Sequence, residues 1–331
     1  MVDIAQRLGQ LFILGFEGDK PSPTFLNFIR EEQIGGVILF EPNCPTQQIT
    51  RRNVDLILSA CRVAPFIAVD QEGGRVCRIK GAPTEYRSAS YYRQRGSVER
   101  FSEEYSRSAV SLEALGINLN LAPVADIFLH SGNSCLADRC FGVTPKEVTP
   151  FVRASVEVSA KAGLLCCLKH FPGLGAAVND PHEETAVAGY TQLVWQQRER
   201  IPFQAGLEAG ADMIMTTHML LPELDDLSVT ESTNIISTLI RKDLAFDGPV
   251  ITDDLLMKGA EDYGSPGNRA IKAFLAGHDL LLFSQDSNAA MRAYDSFVDA
   301  VQREEIPADK VTRSLQRVAG LKCKLNSSVI R

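Results

Sequence analysis

Eight short apolar runs, spaced along 331 residues, constrain the fold of this chain more than any other feature. Most of them are separated from the next by a segment long enough to form a helix. Their cores are continuous rather than alternating, which is typical of strands that are covered on both faces. The runs occupy residues 11–16, 36–40, 66–70, 119–126, 164–170, 213–218, 250–254 and 280–284.

The segments between these runs carry apolar residues at helical spacing. In 98–115, for example, Phe101, Tyr105 and Leu112 fall within one broad face. Eight strand–helix repeats predict an α/β protein, a (β/α)8 TIM barrel. Because no Pro- or Ser-rich linker interrupts the series, we expect residues 1–331 to form a single domain.

The charge and the apolar content exclude several classes of function. A net charge of -7 without a run of Lys and Arg argues against nucleic acid as a partner. The longest apolar stretches are too short to cross a bilayer. The first residues lack the basic-then-apolar order of a signal peptide. We therefore expect a cytoplasmic protein that binds neither nucleic acid nor membrane.

The cysteines indicate neither a zinc site nor a disulfide framework. None of the eight stands in a CxxC pair, and no Cys and His share the spacing of zinc ligands. Cys166 and Cys167 fall inside a predicted buried strand, where a thiol behaves as a small apolar group. Reduced thiols are expected, although the number of cysteines leaves disulfides open.

Polar residues follow the carboxyl ends of most predicted strands. In a parallel barrel those ends meet at one mouth, where barrel enzymes have their active sites. The pattern therefore predicts an active site at this mouth. The residues concerned are Glu41, Asp70, Asp126, Lys169, His170, His218, Asp253, Asp254, Ser284 and Gln285.

Two adjacent carboxylates, Asp253 and Asp254, end the seventh run. Neighbouring residues of a strand point to opposite sides, so one carboxylate can face the mouth while the other caps a helix or accepts backbone amides. We interpret Asp253 as the functional member of the pair. The alternative is that both carboxylates only cap the next helix.

A second candidate lies in the glycine-containing loop after the fifth run. Asp180 stands two residues before His182, in a segment that follows Lys169 and His170. An aspartate beside a histidine can fix the tautomer of the ring and raise its basicity. The alternative is an Asx-turn with a surface histidine.

Asp70 and Arg139 together could hold a polyol. A carboxylate accepts hydrogen bonds and a guanidinium donates them, each in a fixed geometry. Lys169 and His170 could bind the same ligand. The alternatives are an ion pair between Arg139 and Asp138, and a structural role for Lys169 and His170.

Several longer motifs give the chain a resemblance to a known family. They are GQLF (9–12), GGVILF (35–40), VDQEGGRV (69–76), NLAPVAD (120–126), DRCFG (138–142), KHFPG (169–173) and FDGPVITDDL (246–255). In this order and spacing, they resemble motifs of the single-domain β-N-acetylglucosaminidases of glycoside hydrolase family 3. The resemblance covers most of the chain.

The resemblance implies a retaining exo-β-N-acetylhexosaminidase that hydrolyses terminal β-linked N-acetylglucosamine. Asp253 matches the nucleophile of the family, and His182, oriented by Asp180, matches its acid/base. The residues that match its sugar-binding groups are Asp70, Arg139, Lys169, His170 and His218. Neither a cofactor nor a metal is implied. The expected substrate is a small saccharide or a muropeptide-like fragment, which would place the protein in peptidoglycan turnover.

Two departures from the family pattern lie in the loop that carries Asp180 and His182. Leu174 stands where the family commonly has His, and Pro181 stands where it commonly has Ser. Pro181 restricts Asp180 towards extended conformations. A sugar-binding protein with an impaired catalytic loop is therefore one alternative.

Two further alternatives are enzymes. A related β-glucosidase would commonly take its acid/base from a second domain, which we do not expect in a chain of this length. A metal hydrolase could use His170, His182, His218 and Asp253, but such barrels usually carry an H-x-H motif after the first strand, and here that strand ends in Gly-Phe-Glu. The exact sugar, the acceptor and the oligomeric state stay open.

Overall fold

Eight parallel strands form the centre of the molecule, as the series of apolar runs predicts. The computed structural model describes residues 4–177, 185–284 and 286–328, and every residue of these strands is buried in it. The strands are β1 Phe12–Leu14, β2 Gly36–Leu39, β3 Phe66–Val69, β4 Leu119–Asn120, β5 Leu165–Phe171, β6 Met213–Thr216, β7 Val250–Thr252 and β8 Leu281–Phe283.

The strands pair in chain order, so the sheet runs from β8 to β1 and onward to β7. All of these pairs are parallel. A parallel bridge joins Ile251 to Leu280, and the amide of Thr252 donates to the Leu280 carbonyl at 3.1 Å. The sheet therefore returns on itself, which confirms the predicted (β/α)8 barrel.

The fourth strand is shorter than the predicted run 119–126. β4 ends at Asn120, and the chain continues to Asp126 with an isolated bridge between Val124 and Lys169. Pro123 has no amide hydrogen, so it cannot donate to a neighbouring strand. The segment still carries Asp126 to the mouth of the barrel.

Helices surround the sheet, and several begin at caps that the sequence supplies. Ser22, Thr144 and Ser265 each accept a backbone amide three residues on, and each is followed by a proline. Proline suits the first helical turn because it needs no hydrogen-bond acceptor there. The helices are α1 Pro23–Glu31, α2 Gln47–Ala60, α3 Ala89–Arg95, α4 Val98–Ala114, α5 Pro145–Ala162, α6 Gln192–Gln197, α7 Arg200–Glu208, α8 Thr233–Ile235, α9 Pro266–Ala276, α10 Ser287–Gln302 and α11 Ala308–Ser328.

Shorter elements lie between these strands and helices, among them a small sheet of Ala186–Val187, Met219–Leu221 and Asp225–Ser228. Single turns of 3-10 helix occur at Glu41–Asn43 and Leu174–Ala176, longer ones occur at Ile4–Leu11 and Lys258–Tyr263, and a π-helix, Ile236–Asp243, follows α8. None of the helices within the described ranges is both long and apolar enough for a membrane crossing.

Aromatic rings fill the space between the barrel and its helices. Phe12 of β1 packs edge-on against Tyr294 and Phe297 of α10, with ring centres 5.3 Å apart in both pairs. Phe101 of α4 packs against Phe141 at 5.1 Å. Helices thus cover the outer face of the strands while side chains fill the interior, which explains why the strand sequences are continuously apolar.

Lys322 of α11 is a buried cation at the amino-terminal end of the barrel strands. Its ammonium group donates to Oε1 of Gln10 at 2.8 Å and lies 4.9 Å from the centre of the Phe66 ring. Burial lowers the pKa of Lys322 to about 7, against an opposing effect of Cys61. Keeping Lys322 protonated therefore costs folding free energy at neutral and acidic pH.

Replacing Lys322 with Met should stabilise the protein at low pH. The unfolded lysine binds its proton up to about pH 10, while the folded lysine loses it near pH 7, so this group favours the native state more as pH rises. We expect K322M to raise the free energy of unfolding by about 1–3 kcal/mol at pH 6 and by less towards pH 10. Urea denaturation across this range measures the difference.

The matched control for this prediction is Lys324→Met, which removes an exposed lysine from the same helix. K324M should show no comparable gain at pH 6. A difference between K322M and the wild type that stays constant across the pH range would contradict the prediction.

Candidate active site

A pocket of about 440 Å³ opens among the carboxyl ends of the barrel strands. Charged and polar groups line one part of it, and apolar side chains line another. The polar residues include Asp70, Glu72, Arg139, Lys169, His170 and Asp253, and the apolar residues include Ile38, Phe40, Met215, Met257 and Leu282. The structure therefore brings together Asp70, Arg139, Lys169, His170 and Asp253, which the sequence analysis selects.

A larger cavity, of about 630 Å³, lies at the opposite end of the barrel. It is lined by Asp212 and Gly248, which precede β6 and β7, and by residues of α11 such as Arg317. Active sites of barrel enzymes form at the carboxyl ends of the strands, so the smaller pocket is the candidate site.

Lys169 lies between two carboxylates of the pocket. Its Nζ is 2.7 Å from Oδ1 of Asp70 and 2.7 Å from Oε1 of Glu72. Burial works to lower the pKa of Lys169, but the two carboxylates outweigh it and raise the pKa above its ordinary value. Lys169 is therefore a fixed positive charge at neutral pH.

Arg139 binds Glu72 through two nitrogens of its guanidinium group. Nε donates to Oε2 at 2.7 Å, and Nη2 donates to Oε1 at 2.8 Å. Burial works to raise the pKa of Glu72, but Arg139 and Lys169 hold it well below its ordinary value. The alternative ion pair between Arg139 and Asp138 is wrong, since Asp138 pairs with Nε of Arg75 at 2.6 Å.

A hairpin directly after β3 presents Glu72 to the pocket. Its strands, Gln71–Gly73 and Val76–Cys77, pair in antiparallel fashion. Gly73 has a φ of +87°, and a Cβ atom there would lie 2.3 Å from the carbonyl oxygen of Arg87. The turn therefore requires glycine at this position.

His170 is held through both ring nitrogens. Nδ1 is 2.7 Å from Oδ2 of Asp126, and Nε2 is 3.1 Å from Nη2 of Arg139. A guanidinium group only donates, so Nε2 accepts this bond and the ring proton lies on Nδ1. Oδ1 of Asp126 also accepts the amide of Leu174 at 2.7 Å. Asp126 thus fixes both the tautomer of His170 and the start of the following loop.

Asp253 lines the pocket at the end of β7. Its amide donates to the Thr216 carbonyl at 3.0 Å, which extends the pairing with β6, and its Oδ1 accepts the amide of Asp254 at 2.8 Å. Burial works to raise the pKa of Asp253, but neighbouring groups outweigh burial and hold the pKa below its ordinary value. The pocket therefore contains an ionised Asp253 at neutral pH.

Asp254 also lines the pocket, but its carboxylate binds the backbone. Its Oδ1 accepts the amides of Leu256 at 3.0 Å and Ser284 at 2.9 Å, which ties the end of β7 to the end of β8. Burial raises the pKa of Asp254. This is the arrangement expected for one member of an adjacent pair of aspartates, and it leaves Asp253 as the member suited to chemistry.

His218 does not contact the pocket, contrary to the expectation that it binds the sugar. The ring is completely buried; Nε2 donates to the Asp254 carbonyl at 2.9 Å, and Nδ1 is 2.8 Å from Oγ1 of Thr230. Burial lowers the pKa of His218, so the neutral ring accepts from the Thr230 hydroxyl. Both nitrogens are used inside the protein, and His218 supports the backbone beside Asp253.

The polar residues of this region that the sequence does not indicate as binding groups include Glu72, Asp126 and Arg78. Glu72 and Asp126 lie in the quoted motifs, Glu72 two residues past the third run and Asp126 at the end of the fourth, so the motifs themselves were the available signal. Arg78 lies 5.7 Å from the centre of the Phe40 ring, and its Nη2 is 3.8 Å from Oδ2 of Asp70. Nε of Arg78 is buried without a hydrogen-bond partner in the described chain.

The predicted dyad of Asp180 and His182 lies outside the described residues, and so does Pro181. The other departure from the family pattern, Leu174, is buried and lines the pocket. The catalytic role of the dyad and the effect of Pro181 on it therefore stay predictions.

The described residues include no group of three His, Cys, Asp or Glu side chains arranged to hold a metal ion. Two residues of the metal-hydrolase hypothesis, His170 and His218, use both ring nitrogens in hydrogen bonds within the protein. A third, His182, lies outside the described ranges.

Comparison with known proteins gives matches over nearly the whole chain. The family described as "Glycosyl hydrolase family 3 N terminal domain" matches residues 3–321. Beta-hexosaminidase A of Pseudoalteromonas piscicida is 30% identical over 98% of this chain, which spans 62% of that protein. A beta-hexosaminidase of Xanthomonas euvesicatoria pv. vesicatoria is 31% identical over 82% of this chain and 83% of its own length.

Solved structures show the same architecture. A glycoside hydrolase family 3 beta-N-acetylglucosaminidase from Paenibacillus sp. FPU-7 has a TM-score of 0.92 at 30% identity, over 98% of this chain and 63% of its own. A beta-N-acetylhexosaminidase from Beutenbergia cavernae has a TM-score of 0.88 at 29% identity, over 97% of this chain and 99% of its own. This chain thus spans less than two thirds of the Pseudoalteromonas and Paenibacillus proteins.

Two buried histidines should show opposite ring tautomers. We expect the proton of His170 on Nδ1 and that of His218 on Nε2, because Arg139 can only donate and the Asp254 carbonyl can only accept. Long-range ¹H–¹⁵N correlation spectra of histidine-labelled protein measure this, and five histidines keep the spectrum simple. The variants H170Q and H218Q assign the signals. A proton on Nε2 of His170 would exclude the hydrogen bond from Arg139.

Proposed function

The chain belongs to glycoside hydrolase family 3, and on this basis we propose that it is a retaining exo-β-N-acetylhexosaminidase that releases terminal β-linked N-acetylglucosamine. The position of Asp253 carries the proposal. This ionised carboxylate shares a pocket with Asp70, Lys169 and Arg139. Their charges suit the hydroxyl groups of a sugar, because together they both accept and donate.

The size and lining of the pocket support a single terminal sugar as the ligand. A volume of about 440 Å³ is towards the lower end for small-molecule sites. Apolar side chains such as Met215 and Leu282 line another part of the wall. An N-acetylated sugar presents both kinds of surface, since it carries hydroxyl groups, C–H groups and a methyl group.

In the proposed reaction, Asp253 forms a covalent bond to the anomeric carbon. Retaining glycosidases release the leaving group as this glycosyl-enzyme forms, and water then hydrolyses it. The lowered pKa of Asp253 keeps the carboxylate in its nucleophilic form. The leaving oxygen needs a proton in the first step, and the water needs a base in the second.

His182, with Asp180 as its partner, supplies that proton and later removes one from water in this proposal. A histidine beside a carboxylate can exchange protons near neutral pH. Most retaining glycosidases use a second carboxyl group instead. Both residues lie outside the described part of the chain. The resemblance of the sequence is what supports this assignment.

The proposal also covers the substrate class and the setting. Residues 1–331 act as one catalytic domain in the cytoplasm, on short amino-sugar glycosides such as muropeptide-like fragments. The relatives named as hexosaminidases support amino-sugar glycosides as the substrate class.

Replacing Asp253 with Asn should abolish turnover, because the nucleophile is lost. We expect kcat for an aryl β-N-acetylglucosaminide to fall by a factor on the order of 10³ or more. The matched control is Asp247→Asn, which removes an exposed aspartate at the other end of β7 and should leave kcat unchanged. A slow fluoro-glycoside should label Asp253 in the wild type, as detected by mass spectrometry.

Several outcomes would contradict this proposal. Turnover by D253N at the wild-type rate, or a label on another carboxylate, would exclude Asp253 as the nucleophile. A folded wild type that binds N-acetylglucosamine without hydrolysing the aryl glycoside would instead favour a sugar-binding protein. A preference for the aryl β-glucoside would favour a β-glucosidase.

Replacing His182 with Gln should slow the hydrolysis of glycosides with poor leaving groups more than that of glycosides with good ones. A general acid contributes most when the departing oxygen is strongly basic. We expect kcat/KM for an alkyl or weakly acidic aryl glycoside to fall on the order of 10²-fold or more, and that for a dinitrophenyl glycoside to fall much less. Steady-state kinetics over a series of aglycones tests this. An equal loss across the series would argue against His182 as the acid.

A further inference from the structure

Glu72 joins the two buried cations of the pocket. We define the polar chain as the series Asp70, Lys169, Glu72, Arg139, His170 and Asp126, in which neighbours lie 2.7 to 3.1 Å apart. Within this chain, Oε1 of Glu72 is 2.7 Å from Nζ of Lys169 and 2.8 Å from Nη2 of Arg139. Without Glu72, Arg139 would lose its ion-pair partner and Lys169 would keep only Asp70.

The contacts of the two cations leave donors for a ligand. Arg139 has five N–H groups; two of them bind Glu72, one binds His170, and one binds the Cys135 carbonyl at 3.3 Å. Lys169 directs its ammonium group at two carboxylates. One N–H of each cation is thus without a protein acceptor within the described ranges, and both side chains line the pocket.

We propose that Glu72 is a positioning residue, which holds Arg139 and Lys169 side by side so that both direct an N–H at the hydroxyl groups of the bound sugar. This inference rests on the proposed function, since it takes the ligand to be a sugar. Glu72 acts through the two cations. A carboxylate suits this task because it accepts from both at once, whereas the amide of a glutamine would turn an NH₂ group towards one of them.

If Glu72 positions Lys169 through its charge, then removing that charge must change the pKa of Lys169, and with it the pH dependence of binding. Burial lowers the pKa of Lys169, Asp70 and Glu72 raise it, and Arg139 lowers it. The carboxylate of Asp253 also interacts with the charge of Lys169. Removing the charge of Glu72 leaves Asp70 and the weaker effect of Asp253 against burial and Arg139, so the pKa of Lys169 falls. Binding that needs the protonated amine is then lost at a lower pH.

The test measures the affinity for N-acetylglucosamine by NMR titration between pH 6 and pH 10. We expect Glu72→Gln to bind on the order of 10- to 100-fold more weakly than the wild type at pH 7, and to lose further affinity at a lower pH than the wild type does. Glu72→Asp keeps the charge but has a shorter reach. It should bind more weakly than the wild type with the same pH profile.

The matched control is Asp279→Asn. Asp279 is also buried and bound by two arginines, Arg241 and Arg317, but it lies at the opposite end of the barrel. D279N should lower the melting temperature and leave the affinity for the sugar unchanged at every pH. Thermal unfolding of each variant shows that the affinities are compared between folded proteins.

The outcomes separate this inference from the proposed function. An E72Q protein with wild-type affinity, or with affinity reduced by the same factor at every pH, overturns the positioning role while wild-type turnover upholds the proposed function. If E72Q does not fold, wild-type affinity of the E72D protein for the sugar overturns the positioning role. A wild type that neither binds nor hydrolyses the sugar overturns both.

Discussion

The mouth of this barrel depends on buried charges that satisfy one another. Each group of the polar chain has a partner of opposite charge or a hydrogen-bonding ring within 3.1 Å. An isolated ion at such a depth would cost several kcal/mol, and removal of one member leaves its neighbours uncompensated. The positions of Lys169, Arg139 and His170 therefore depend on one another, with Glu72 and Asp126 as the anions that they contact.

At the end of β7, two polar residues support the backbone, and a third, Asp253, lines the pocket. Asp254 binds amides from its own loop and from the end of β8, and His218 donates to the Asp254 carbonyl from the end of β6. Asp254 thus binds backbone amides, and His218 binds a backbone carbonyl and the Thr230 hydroxyl. These contacts fix the end of β7, from which Asp253 lines the pocket beside the polar chain.

Strand ends were one signal of the candidate site, since Asp70, Lys169, His170 and Asp253 each stand at or near the end of an apolar run. Arg139 has no such position and was indicated by its chemistry and by the resemblance. The partner of Arg139 could not be predicted, since spacing offered the neighbouring Asp138 and the actual partner, Glu72, is 67 residues away. His218 satisfies the same strand-end pattern, yet its ring turns inward, because a carbonyl and a hydroxyl are there to bind it.

The sequence by itself determined the barrel and the end at which its polar residues gather. Continuous apolar runs, Ser/Thr–Pro helix starts and polar strand ends are local properties, and each acts through the residues of its own segment. Only the tertiary structure decided which charges pair, which histidine tautomer forms and which aspartate of the adjacent pair binds backbone. Those choices depend on atoms brought together from distant segments. No periodic pattern in a single sequence reports the distance between such atoms.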